Sequence, residues 1–159
     1  MVYGMLAAFI FMAVYYKVFG IIADIALAAN VILLVALLSW LGVALTLPGI
    51  AAVVLTVGMA VDANILIYER IREELRNDVT PRAAIAAGFE RALSAITDSN
   101  ITALIAGVVL WSFGAGAIRG FAVVLVLGIG TSVFTSVMGT HALVQVIYGG
   151  KRKLDRLSI

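Results

Sequence analysis

The stretch Pro48-Gly49-Ile50-Ala51-Ala52-Val53-Val54-Leu55-Thr56-Val57-Gly58-Met59-Ala60-Val61-Asp62-Ala63-Asn64-Ile65-Leu66-Ile67-Tyr68 reads as one membrane-crossing helix with a single carboxylate inside it. It has the run of about 20 mostly apolar residues that a bilayer crossing needs. Pro48 suits the first turn of a helix, where its missing N–H costs nothing. Asp62 lies 14 residues after Pro48, roughly 21 Å along a helix of about 30 Å, and so within the hydrocarbon layer.

Working outward, the whole chain has the same character. Of its 159 residues 64% are hydrophobic and 13% charged, and the mean hydropathy is +1.14. A soluble domain carries about 25% charged residues, so the apolar excess here has to face lipid. The spacing predicts an all-α, polytopic transmembrane helix bundle forming a single domain over 1–159. Five spans are expected, at about 2–19, 21–45, 48–68, 94–113 and 120–148. A cytoplasmic loop over 69–93 separates the third and fourth. Its composition suggests short amphipathic surface helices, the second opened by Thr80 as N-cap and Pro81 behind it, with Ala84, Ile85, Phe89 and Leu93 on its apolar face. Gly107, Gly128, Gly130 and Gly139 predict close helix contacts in the last two spans.

The basic residues orient the bundle. Lys17, the five arginines from Arg70 to Arg91, and Lys151, Arg152, Lys153 and Arg156 fall on one side, ten of the eleven Lys and Arg. The positive-inside rule makes that side the cytoplasm and leaves the C-terminus inside. The first span then starts outside, which calls for a preceding segment, and the opening residues lack the basic region and cleavage motif of a signal peptide. No cysteine is present, which excludes disulfides and thiolate metal sites. No basic stripe for nucleic acid is visible, and no cofactor or metal is expected.

A carboxylate at such a depth is expensive, at about 2.5–3.5 kcal/mol on insertion scales. Desolvation raises a carboxyl pKa, which suits Asp62 to proton exchange near neutrality. The bland alternative is a hydrogen-bonded Asp at a helix interface, a role that Asn fills at lower cost. Gly58, one turn earlier, shares its face and lets another helix approach. Asn64, Asp98, Asn100 and Thr102 are candidate polar support at the same depth, although Asp98 and Asn100 are equally consistent with capping a helix start. His141 reads as a packing residue, Asp24 as interfacial, and Arg119 as a headgroup anchor on the outer side.

The residues also resemble a known family. Leu47-Pro48-Gly49-Ile50, then Gly58-Met59-Ala60-Val61-Asp62-Ala63-Asn64, then Glu69-Arg70-Ile71-Arg72-Glu73-Glu74-Leu75 are similar to the signature of the SecD/SecF family of the resistance–nodulation–division superfamily. Thr97-Asp98-Ser99-Asn100-Ile101-Thr102, the Gly114–Phe121 segment and Tyr148-Gly149-Gly150-Lys151-Arg152 follow in family order. The resemblance implies a proton-motive-force-driven accessory subunit of the Sec export machinery, not an enzyme, in the bacterial inner membrane. It implies pairing with a SecF-like membrane subunit, association with the SecYEG channel and YajC, and contact with unfolded preprotein through a large periplasmic domain. That domain and the family's first helix have no counterpart in these residues. The family's proton-relay aspartate falls on Asp62.

Other functions fit less well. A small-molecule exporter of the same superfamily, the main alternative, usually carries two adjacent acidic residues at the relay position, whereas Ala63 follows Asp62. An aspartyl intramembrane protease needs a second facing carboxylate in a Gly-x-Gly-Asp context, which is missing. A rhomboid-like serine protease needs a Gly-x-Ser-x-Gly setting paired with histidine, and none precedes His141. A pure scaffold has no use for Asp62.

Overall fold

The computed structural model describes residues 2–77 and 79–149, and every element among them is helical. Helix α1 spans Val2–Trp40, α2 Leu47–Arg76, α3 Pro81–Phe113, α4 Ala117–Val133 and α5 Thr140–Gly149, with a π-helical segment, Phe134–Gly139, joining α4 to α5. The expectation of an all-α bundle holds. Four helical stretches are long and apolar enough to cross a membrane: Leu6–Trp40, Leu47–Arg76, Pro81–Phe113 and Ala117–Val146.

The two expected N-terminal spans meet at a kink with no loop between them and so count as one continuous element among the four. That element is broken at Lys17 (φ 51°, ψ −116°), three residues before the expected boundary at Gly20. In a straight helix residues 12 and 20 stand about 12 Å apart. Here the backbone of Gly20 lies directly against the carbonyl of Met12 and the Cα of Ala13, so α1 folds back on itself. Only glycine permits this approach, because any Cβ at position 20 overlaps the Met12 carbonyl.

The polar stretch 69–93 is not a loop with short helices of its own. Residues up to Arg76 continue α2, and α3 begins at Pro81, so both long helices run beyond their apolar portions. The break over 77–80 falls where Thr80-Pro81 predicts it, and Thr80 is the N-cap, although its side chain makes no capping bond. Thr46 caps α2 fully, its hydroxyl accepting the Gly49 N–H at 3.2 Å. The basic C-terminal cluster Lys151–Arg156 lies outside the described residues.

Helix α2 is the centre of the bundle, packing on both α3 and α4, which also touch each other. Its buried face repeats as Ala52, Thr56, Ala60, Asn64, Ile67 and Ile71, the 3.6-residue period of a helix walled on one side. One apolar cluster joins Met12, Tyr16 and Phe19 to Ile67, Tyr68, Ile71 and Phe89, and a second joins Leu27, Leu34 and Leu38 to Val53, Val57, Val124 and Ile129. In lipid, close fit rather than escape from water holds such surfaces together. Gly128 rests on the side chain of Thr56 and Gly107 on Val126, as the small residues predict, whereas Gly130 faces open space. At the polar end, the Tyr16 hydroxyl donates to Glu69 at 2.9 Å, and the Arg72 guanidinium covers the Tyr15 ring at 4.7 Å.

Candidate ion-relay site

Asp62 is the one ionisable side chain of α2 between Leu47 and Tyr68. Successive helical residues turn by about 100°, so position 62 is rotated some 200° from both Ala60 and Asn64. Those two face inward, and Asp62 therefore stands on the exposed outer side of α2.

Two hollows meet at this carboxylate. A cavity of about 160 Å³ lies between α2 and α3, lined by Met59, Asp62, Leu66, Ile96, Ser99 and Asn100. A wider groove of about 430 Å³ runs between α2 and the start of α1, lined by Gly4, Ala8, Val57, Gly58, Val61 and Asp62. Gly58 shares the face of Asp62, as its spacing predicts, and among the described residues no atom closes over it. The open space suits a helix from outside the chain.

Asn100 reaches the smaller cavity from α3. Its amide donates to the Ile96 carbonyl at 2.7 Å, while its side-chain oxygen is buried and has no hydrogen-bond partner among the described residues. A buried amide oxygen left without a donor costs about 1–3 kcal/mol. Asn100 lines the cavity, but this oxygen itself is closed off from water-sized space. Ser99, which sequence reasoning missed, lies beside it and donates to the same Ile96 carbonyl at 3.0 Å. Its position adjoining Asn100 was the only signal for it.

The other expected members separate. Asn64 is 1% exposed and turned inward, where its side-chain oxygen accepts the Thr140 hydroxyl at 3.0 Å. Asp98 and Thr102 lie on the exposed side of α3, with the Thr102 hydroxyl bonded to the Asp98 backbone carbonyl at 2.9 Å. The structure thus brings Asp62 together with Asn100 and parts both from Asn64, Asp98 and Thr102. The polar support expected at one depth resolves into an outer site at Asp62 and an inner seam of buried hydroxyls at Thr56, Thr131, Ser132, Thr135, Ser136 and Thr140.

His141 packs on Phe89, ring centroids 4.7 Å apart, and meets Gln145 at 3.3 Å. Arg119 lies over the Trp111 ring at 5.4 Å. Asp24 is half-buried, with one carboxyl oxygen enclosed and without a hydrogen-bond partner among the described residues. Asn30, another residue the sequence reading passed over, is fully buried with both polar side-chain atoms unpartnered. Its amide in the apolar run from Ile25 to Leu38 was a visible signal. Among the described residues no group of three or more His, Cys, Asp or Glu side chains is placed to hold a metal ion.

Residues 1–149 match the family described as protein export membrane protein SecD/SecF, C-terminal. The protein translocase subunit SecD of Pseudomonas aeruginosa is 54% identical over 149 residues, covering 94% of this chain and 24% of that protein. The subunit of the same name from Escherichia coli K12 is 51% identical over 157 residues, covering 98% of this chain and 25% of that one. The chain therefore spans about a quarter of these relatives' length. Among solved structures, the fold is similar to SecDF, a translocon-associated membrane protein from a Thermus species, with a TM-score of 0.86, 43% identity, and coverage of 94% of this chain and 21% of that one. SecDF in its super-membrane-facing form gives a TM-score of 0.85 at 43% identity.

Proposed function

The chain belongs to the SecD/SecF protein-export family, and from that premise we propose that it is the membrane portion of a proton-driven accessory subunit of the Sec machinery, with Asp62 as the group that takes up and releases the proton. The observation that carries this reading is the seat of Asp62. It is the lone carboxylate of the apolar part of α2, and it lines a cavity that Asn100 and Ser99 also line. A cavity bordered by Asp62, Asn100 and Ser99 has the polar partners a short water chain needs to hand a proton along.

The exposed side of Asp62 argues for a neighbour. A carboxylate facing hydrocarbon is unfavourable by about 2.5–3.5 kcal/mol, and the groove through Gly4, Ala8 and Gly58 is shaped for a close-packed helix. A SecF-like membrane subunit is the proposed occupant. SecYEG, YajC and the emerging preprotein are the proposed partners of the complete assembly, whose export activity this segment supports rather than performs alone.

The proposed placement is the inner membrane, with the C-terminus in the cytoplasm. Five crossings remain the reading we favour, since Leu6–Trp40 has 35 residues and about 52 Å of straight helix overshoots a layer of about 30 Å. The reversal at Lys17 splits it into two shorter arms.

The test is Asp62→Asn in full-length SecD carrying this chain, in cells depleted of their own SecD. The subunit should still insert and assemble with its partner, while proton-dependent stimulation of export is lost. Undiminished export with that variant refutes the relay role.

A further inference from the structure

Behind the turn of α2 that carries Asp62 lies the one π-helical segment among the described residues, Phe134–Gly139. The backbone N–H of Thr140 reaches the carbonyl of Thr135, five residues back, which defines the wider turn. Two hydrogen bonds fasten this region to α2. Ser136 donates to the Ala60 carbonyl at 3.4 Å, and Thr140 donates to the Asn64 side-chain oxygen at 3.0 Å. Ala60 and Asn64 bracket Asp62 by two residues on either side, so no rotation of that turn leaves both bonds unchanged.

We propose that the π segment is the moving joint of this chain, and that Asn64 and Thr140 are positioning residues that tie its setting to the occupancy of Asp62. This rests on the relay reading above and adds the route by which a proton at Asp62 moves the C-terminal helix. A π turn holds one residue more than an α turn, and such turns recur at functional sites as single insertions within helices. Passing between the two settings rotates everything beyond by about 100° and slides it about 1.5 Å. The joint therefore has discrete positions rather than a continuum, as a coupling element requires.

The local chemistry allows the change. Redrawing a π turn exchanges backbone carbonyl partners, and hydroxyls stand along the stretch to take the freed ones. Thr131 donates to the Gly128 carbonyl at 3.1 Å, and Thr135 donates to Thr131 at 2.9 Å, with a second contact to Ser132 at 3.4 Å. These side chains are buried, so water cannot compete for the same carbonyls. Among the described residues, no titratable side chain other than Asp62 lines either hollow beside it. Next to the joint, His141 is engaged by Phe89 and Gln145.

The experiment uses full-length SecD carrying this chain, assembled with its membrane partner. Spin labels on cysteines introduced at the exposed positions Leu55 and Val146 report the distance from α2 to α5, and this chain adds no cysteine of its own. Two distance populations are expected with Asp62 present, collapsing to one in Asp62→Asn and unchanged by His141→Gln. In export assays, Thr140→Val should lower the proton-dependent component about tenfold, the equivalent of one buried hydrogen bond, and Thr140→Ser should restore it. If Asp62→Asn abolishes export while the Leu55–Val146 distances stay as in the parent, the joint is refuted and the relay stands. If Asp62→Asn exports normally, the relay itself fails. Full proton-dependent export with Thr140→Val overturns the positioning role.

Discussion

Thr140 and Asn64 are 76 residues apart in the chain and share a 3.0 Å hydrogen bond in its interior, two residues along α2 from an aspartate that faces the opposite way. Two residues apart in sequence, Asp62 and Asn64 serve different surfaces. The bond fixes which side of α2 looks inward, and so which side is left for Asp62.

That division predicts a graded mutational pattern around the cavity. Asn100→Leu should insert and accumulate normally yet reduce proton-dependent export by about tenfold, because it replaces a polar lining of the cavity beside Asp62 with an apolar one. Asp98→Asn and Thr102→Val, on the exposed side of α3, should stay within about twofold of the parent, the scale of surface substitutions at under 0.5 kcal/mol. Export assays on inverted membrane vesicles separate the two groups. Equal losses at all three positions would restore the polar support expected at one depth and count against the site drawn here.

The reversal in α1 makes its own prediction. Gly20→Leu forces a side chain into the Met12 carbonyl and should destabilise the bundle by at least about 3 kcal/mol, the upper end of overpacking effects. Lys17→Gly should act oppositely and stabilise by about 1 kcal/mol, since a side chain at φ 51°, ψ −116° is strained where glycine is not. Unfolding by SDS in mixed micelles, followed by circular dichroism, reads both.

Contact between Gly128 and Thr56 offers a paired test. Gly128→Ala places a Cβ 2.7 Å from that of Thr56 and should cost about 1–3 kcal/mol. Thr56→Gly in the same chain removes the obstacle, and the double variant should recover at least half of the loss. A double-mutant cycle on SDS unfolding gives a coupling energy of about 1 kcal/mol or more if the helices touch there, and near zero if they do not.

The ion pair between Arg91 and Glu74, 2.6 Å long, joins α3 to α2. The Glu74 side chain is 6% exposed and that of Arg91 58%. Arg91→Ala strands the buried carboxylate and should cost about 2 kcal/mol, below the 3–5 kcal/mol of a fully buried pair because water screens the arginine. Glu74→Gln added to Arg91→Ala should recover part of it. The same unfolding assay checks this, and additive effects of the two changes would mean the pair does not couple.

Some of this was legible in the residues. Pro48 and the Thr80-Pro81 pair mark helix starts that the structure reproduces, because backbone restriction at proline acts locally. The depth of Asp62 and the face it shares with Gly58 follow from helical geometry alone. Its partners do not. Asn64 and Asp98 resemble good neighbours on depth, but 200° of helical rotation separates each from the residue that does line the cavity, and only the packing of α2 against α4 decides which side is walled. The polar stretch 69–93 misled for a related reason. Charge excludes lipid contact but not helix, so α2 and α3 continue through it. At Lys17 the chain breaks under a residue that signals no turn, while Gly20, the residue that did signal one, records the close approach that follows.

At the polar end of α2 and α3, Gly88 presses against the backbone of Ile71, and the ion pair of Glu74 with Arg91 lies within one turn. Asp62 and the cavity it shares with Asn100 lie some 18 Å further along. Two rods pinned at one tip behave like tweezers. The space beside the carboxylate is thus less constrained than the tip held by Glu74, Arg91, Gly88 and Ile71.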